Sequence, residues 1–239
     1  MALLPLLKKR LGRSLFLPAH GRGQALPREF KRLLRQRAGV WDLPELAEIG
    51  GPLEPEGAVG ESQRESAAAM GADRCWYGVN GATGLLQAAL LAIAQPGDAV
   101  LMPRNVHRSL IQACVLGDIK PLLYNVPYQT KQGHSAPPNQ AWIKKVLAEL
   151  PNNQGEIKAA VLVHPTYQGY ANDPTEIIAT LQEQGLSVLV DEAHGCHLAA
   201  GIDPDLPPSS LHCGADLVVH SLHKSAAGLA QTAVLWLKG

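Results

Sequence analysis

Leu186-Ser187-Val188-Leu189-Val190-Asp191-Glu192-Ala193-His194-Gly195 decides the fold, together with a later stretch, Leu217-Val218-Val219-His220-Ser221-Leu222-His223-Lys224-Ser225. Each begins with a short apolar, β-branched run that reads as a buried strand. The first run delivers an acid at its end, and the second delivers a lysine shortly after its end. Ligands of open parallel sheets gather outside the carboxyl ends of the strands, so Asp191 and Lys224 are expected to share one crevice. Taken singly, Asp191 reads equally well as a strand-end cap and Lys224 as a surface lysine.

Outward from these two segments, short apolar runs alternate with helical patterns from about residue 74 to the end. The other runs are Cys75–Val79, Ala99–Met102, Pro121–Tyr124, Ala159–Val163 and Ala233–Leu237. Helices are expected at Thr83–Ala94, Arg108–Leu116, Gln140–Leu150, Pro174–Gln184 and, briefly, Ser209–His212. This is the signature of an α/β fold: a seven-stranded, mostly parallel, doubly wound sheet. The connection Lys224–Gln231 is too short for a helical crossover, so the seventh strand is expected to run antiparallel to its neighbour. Upstream, Pro27–Arg37 reads as a basic helix with Pro27 at its start. Leu43–Gly60 reads as an ordered loop, and Glu61–Met70 as a helix ended by Gly71. The organisation read from this is an arm and loop region over residues 1–60, then one large domain over 61–239. Gln129–Asn139, with Gly133, Pro137 and Pro138, reads as a mobile loop.

The chain has 239 residues, 46% of them hydrophobic, enough for one sizeable core. Lys+Arg and Asp+Glu both number 21, which gives no electrostatic basis for a nucleic-acid or anionic-membrane partner. In Met1–Arg10 the basic residues follow a short apolar run, the wrong order for a secretion signal, and no span reaches membrane length. A cytoplasmic location is the expectation. The cysteines Cys75, Cys114, Cys196 and Cys213 are unpaired in spacing and fit a reducing compartment. His194-Gly195-Cys196-His197 and His212-Cys213 lack a CxxC knuckle or an HExxH helix, so no metal site is expected.

Val79-Asn80-Gly81-Ala82-Thr83-Gly84 joins the first strand to a strongly helical run. A helix N-terminus entered through small residues makes an anion site, and Thr83 adds a hydroxyl; the same segment also reads as an ordinary turn with Thr83 as N-cap. Asn105-Val106-His107-Arg108-Ser109 follows the second strand, where His107 can either stack on a planar ring or cap the next helix. In His164-Pro165-Thr166-Tyr167-Gln168-Gly169, Thr166 or His164 can hydrogen-bond a phenolate oxygen, or simply form a turn. Ser221 and His223 flank the lysine as further phosphate donors. Asp191-Glu192-Ala193-His194 also spells an ATPase box, but no Gly-Lys-Ser/Thr phosphate loop occurs in the chain. A lysine able to form a Schiff base, with an aspartate facing a pyridinium nitrogen, is the pairing that pyridoxal 5'-phosphate (PLP) requires.

These segments together resemble the major domain of the ornithine/lysine/arginine decarboxylase family, PLP enzymes of the aspartate-aminotransferase fold. The resemblance also runs through Leu17-Pro18-Ala19-His20-Gly21-Arg22-Gly23, Gly71-Ala72-Asp73-Arg74, Pro96-Gly97-Asp98, Gly214-Ala215-Asp216 and Leu229-x-Gln231. It implies that Lys224 holds PLP as a Schiff base and that Asp191 keeps the ring nitrogen protonated. It implies too that Ala193 packs on one ring face and His107 on the other, and that Gly81, Ala82, Thr83, Ser221 and His223 surround the phosphate. Thr166 would lie near the ring, and His194 would act near ring or substrate. The phosphate loop departs from the usual pattern, with Ala82 in place of a hydroxyl residue. Family members continue past the seventh strand into a smaller C-terminal domain, so the chain reads as the PLP-binding half of a longer enzyme and as one subunit of a homodimer or larger homo-oligomer. The function implied is decarboxylation of a small amino acid, with lysine, ornithine or arginine favoured. Two alternatives stay open: an aminotransferase or carbon–sulfur lyase of the same fold, and a PLP-binding fragment without turnover.

Overall fold

The structure is a computed structural model that describes residues 16–40, 42–151 and 155–239. The Met1–Arg10 stretch lies outside the described residues. Seven strands form one sheet: β1 (Arg74–Gly78), β2 (Ala99–Pro103), β3 (Lys120–Tyr124), β6 (Ile157–Val163), β7 (Ser187–Asp191), β8 (Leu217–Ser221) and β9 (Ala233–Leu237), in the order β1-β9-β8-β7-β6-β2-β3. β9 runs antiparallel to both β8 and β1, as the short connection before it predicts, and the other six strands share one direction. Six carboxyl ends therefore meet along one edge of the sheet.

Strand alternation sends the apolar side chains to two cores. Val188, Val190, Val218 and Trp236 pack on one face with α2 (Gly57–Met70), α5 (Gln140–Ala148) and α6 (Thr175–Gln182). Leu189, Leu217, Val219 and Leu235 pack on the other face with α3 (Gly81–Ile93) and α4 (Arg108–Gly117). β2, β7 and β8 read as unbroken apolar runs because both of their faces are covered.

Three expectations need correction. The N-terminal helix is only α1 (Arg28–Leu33), preceded by Pro27; it buries no side chain, so nothing stabilises the further turn to Arg37. α2 starts at Gly57 rather than Glu61. The loop before it satisfies its first turn: Ala58 N–H donates to Glu48 O and Val59 N–H to Ile49 O. α2 ends where predicted, at Gly71 in the left-handed region (φ 68°). Gln129–Asn139 is not featureless, because β4 (Tyr128–Gln129) and β5 (His134–Ser135) form a small hairpin. His134 stacks on Tyr170 with centroids 4.5 Å apart, and Asn172 donates to Pro138 O (3.0 Å), so the hairpin is tied to the loop after β6. A four-residue helix, α8 (Leu222–Ser225), carries the lysine, and a similar short one, α7 (Cys196–Ala199), follows β7.

Two other facts bear on the site. Ala19 N–H donates to His223 O (2.8 Å), so the N-terminal segment touches the lysine-bearing turn. No helix among the described residues is long and apolar enough to cross a membrane.

Candidate active site

A cavity of about 720 Å³ opens at the shared carboxyl edge. Its floor comes from the ends of β7 and β8, one wall from the start of α3, and the opposite wall from the loops after β2 and β6. Lys224, Asp191, His107, His194, Ala193, Gly81, Ala82, Thr83, Ser221 and His223 all line it. Sequence separation among them exceeds one hundred residues, and sheet topology alone brings them together.

Asp191 ends β7 on the same face as Leu189 and is almost fully buried; its Oδ1 accepts the Ala193 N–H (3.2 Å). Burial raises its carboxyl above the usual range, while that N–H, Lys224 and His107 pull it back. Lys224 Nζ lies 3.0 Å from His194 Nε2. Burial lowers the lysine, against the pull of Asp191 towards the ammonium form. His194 is lowered to about 4, first by burial and then by the charges of Lys224, His107 and His223, so near neutral pH its Nε2 is free to accept from the lysine.

α3 enters through Gly81, whose φ of 66° suits glycine and whose N–H donates to Gln231 O (2.8 Å). Asn80, the residue before the helix, makes no side-chain cap. Apart from that of Gly81, the first-turn N–H groups are left uncapped by Asn80, with Thr83 exposed beside them. On the other side of the floor, Ser221 Oγ lies 3.1 Å from His223 Nδ1.

His107 takes the capping role that the sequence left open. Its Nδ1 accepts from Ser109 N–H (3.3 Å) and lies 2.8 Å from Ser109 Oγ, capping α4, while its ring lines the cavity. The loop after β6 behaves differently. Thr166 is buried and does not line the cavity; its Oγ1 accepts the Tyr170 N–H (3.1 Å). His164 turns away too, its Nε2 paired with Pro208 O (3.2 Å). The same turn pushes Tyr167 out, 82% exposed, with its ring edge-on to His194 (centroids 5.5 Å apart, 81°). Tyr167, Gln168, Arg108, Asn105 and Ser135 line the mouth of the cavity and were not singled out from sequence. Tyr167, Gln168, Arg108 and Asn105 belong to the segments after β6 and β2 that the sequence marks, but nothing in a linear motif says which neighbour the turn exposes. Among the described residues no group of three His, Cys, Asp or Glu side chains is placed to hold a metal.

Comparison with known proteins adds three findings. The family described as "Orn/Lys/Arg decarboxylase, major domain" matches residues 9–239. An arginine decarboxylase of Bacillus anthracis is 32% identical over 222 residues, covering 93% of this chain and 44% of that protein. Another from Bacillus subtilis is 31% identical over 219 residues, covering 92% and 44%. The chain thus spans just under half the length of these relatives. Among solved structures, the constitutive lysine decarboxylase of E. coli superposes with a TM-score of 0.72 at 22% identity, covering all of this chain and 35% of that one. That likeness speaks for the fold.

Proposed function

Because the chain belongs to the Orn/Lys/Arg decarboxylase family through that family's major domain, we propose that it binds PLP on Lys224 and serves the decarboxylation of an amino acid, with a basic side chain preferred. The observation that carries the reading is the joint exposure of the Lys224 amine and the Asp191 carboxylate to one cavity that also receives the start of α3. The residues present fit the cofactor. Asp191 is a buried carboxylate satisfied by a single backbone N–H among the described residues, and so has capacity for a cationic ring nitrogen. Bound PLP supplies an electron sink for the pair left behind when carbon dioxide departs.

The chain's own groups have these roles in the proposal. Lys224, whose pKa burial lowers against the pull of Asp191, would supply the amine that holds the cofactor. Asp191 holds a proton on the ring nitrogen by its charge. The N–H groups at the start of α3, with Thr83 and Ser221, receive the phosphate. His107, fixed through Nδ1 by its own helix, and Ala193, fixed by its N–H to Asp191, would hold the ring between them. The names of the sequence relatives favour a basic amino acid, arginine first.

Two measurements test the proposal. Borohydride reduction with PLP, followed by peptide mapping, should place the pyridoxyl group on Lys224; modification confined to Lys120, Lys131 or Lys158 would refute the assignment. Incubation with carboxyl-labelled arginine, lysine and ornithine should release labelled carbon dioxide and the amine. A keto acid as the product would move the protein to the aminotransferase reading.

A further inference from the structure

On the face of β7 opposite Asp191 lies a second set of buried polar groups that the cofactor roles leave unused. Glu192 and His220 are both fully shielded from solvent. Glu192 Oε1 accepts the Ser209 hydroxyl (2.5 Å) and faces His220 Nε2 at 3.0 Å, while Oε2 accepts the Ser210 N–H (2.8 Å). Behind them, Trp236 Nε1 donates to His220 Nδ1 (2.9 Å). An indole N–H is only a donor, so Nδ1 must keep its lone pair and Nε2 must carry the proton offered to Glu192. The relay therefore runs one way, from Trp236 through His220 to Glu192.

His164 acts on Glu192, and Cys196 acts on His220. Burial opposes charge on His220, but Cys196 and Glu192 outweigh it and raise the ring to about 9; the Trp236 N–H aimed at Nδ1 acts the other way. The indole decides the matter, since a second ring proton would strand a donor in a dry site. Burial likewise opposes charge on Glu192, but its hydrogen bonds, with His220 first, hold it below the usual carboxylate range.

A fully buried carboxylate is an expensive way to hold a sheet together, and apolar residues do that at least as well. What it joins is more telling. Glu192 lies between Asp191 and the Ala193-His194 turn, and its Cγ fills the space beside Gly195 so closely that a Cβ there would lie 2.4 Å away. His220 immediately precedes Ser221 at the end of β8, from which α8 carries Lys224.

We propose that Glu192 and His220 are positioning residues: the Trp236–His220–Glu192 relay, with His220 held as its Nε2–H tautomer, locks the Asp191–His194 turn against the end of β8 and so sets His194 opposite the Lys224 amine. The inference rests on Lys224 being the cofactor lysine for its consequence, but not for its geometry.

Histidine-selective ¹⁵N labelling of the full chain gives the first readout. His220 should show a protonated Nε2 and a bare Nδ1, unchanged between about pH 6 and 8, where a free imidazole titrates. A doubly protonated ring at neutral pH overturns the proposal. The second readout compares His220→Gln with His220→Leu. Glutamine donates through its amide nitrogen and accepts through its oxygen, whereas leucine fills space and does neither. In His220→Leu, PLP affinity should fall about tenfold or more, the scale on which an outer-shell hydrogen bond matters to the group it orients. The rate at which acetic anhydride modifies Lys224 in the cofactor-free chain should also change several-fold. His220→Gln should restore both to within about twofold of the unaltered chain. Equal behaviour of the two variants, intact or impaired, overturns the positioning role. Should His220→Leu fail to fold, Trp236→Phe removes only the indole donor; it should let Nδ1 take a proton in the same pH range, and an unchanged ring would again count against the relay. If the unaltered chain takes up no PLP, the cofactor reading fails, while ring tautomer and lysine acetylation still decide this one.

Discussion

At His194, half-buried against Tyr167 and 3.0 Å from Lys224, the surroundings decide what an imidazole can do. Its pKa of about 4 means that folding disfavours the charged ring. The sign follows from linkage: a folded value below the ordinary 6.5 contributes stability that is present above 6.5 and is lost as pH falls through 4. His194→Gln keeps an acceptor for the lysine and does not titrate. Urea unfolding at neutral pH and near the acid end of that window should therefore show a smaller acid loss for the variant than for the unaltered chain. Other carboxylates titrate in the same window, but they cancel in the difference. An identical loss in both proteins would mean that His194 is not held neutral by the fold.

The turn after β7 shows how an element rather than a residue sets the site. Asp191 and Glu192 are adjacent, and the strand's alternation sends one to the cavity and the other to the buried relay. Gly195 closes the turn because no side chain fits against Glu192 there. Gly195→Ala should cost about 1–3 kcal/mol, the usual price of overpacking. Glu192→Ala opens that space, so in the double variant the alanine at 195 should cost less. A double-mutant cycle on unfolding free energies measures this, and strict additivity would show that the contact does not constrain the turn. The start of α3 makes a similar point: its anion-binding capacity comes from a glycine with positive φ and from a missing side-chain cap, not from any charged residue.

Across the whole molecule, stability should concentrate in the middle of the sheet. Leu189, wholly buried on β7, contacts the α3–α4 core, whereas Leu123 on the edge strand β3 is 46% exposed. Leu189→Ala should cost about 2–5 kcal/mol and Leu123→Ala less than about 1 kcal/mol. Amide hydrogen exchange should follow the same gradient, slowest in β6, β7 and β8 and fastest in β3. Comparable costs for the two truncations would mean that the sheet is not stabilised from its centre.

The sequence by itself determined the seven strands, the antiparallel return of β9, and the pairing of Asp191 with Lys224 at one sheet edge. These are legible because buried strands must be apolar runs, and parallel strands must put their carboxyl ends on one side. It also marked His107, Ser221 and the Gly81–Thr83 entry, whose places follow from strand ends. Only the tertiary structure decided which residue of each loop faces the cavity. Between Thr166 and Tyr167 the choice depends on a backbone hydrogen bond from Tyr170 that no linear pattern encodes. The relay was hidden for a related reason: Glu192 follows the end of β7, His220 lies in β8 and Trp236 in β9, and each alone reads as an ordinary residue beside a motif. Their hydrogen bonds exist because the register of β7, β8 and β9 brings three like-facing side chains together in a place that water cannot reach.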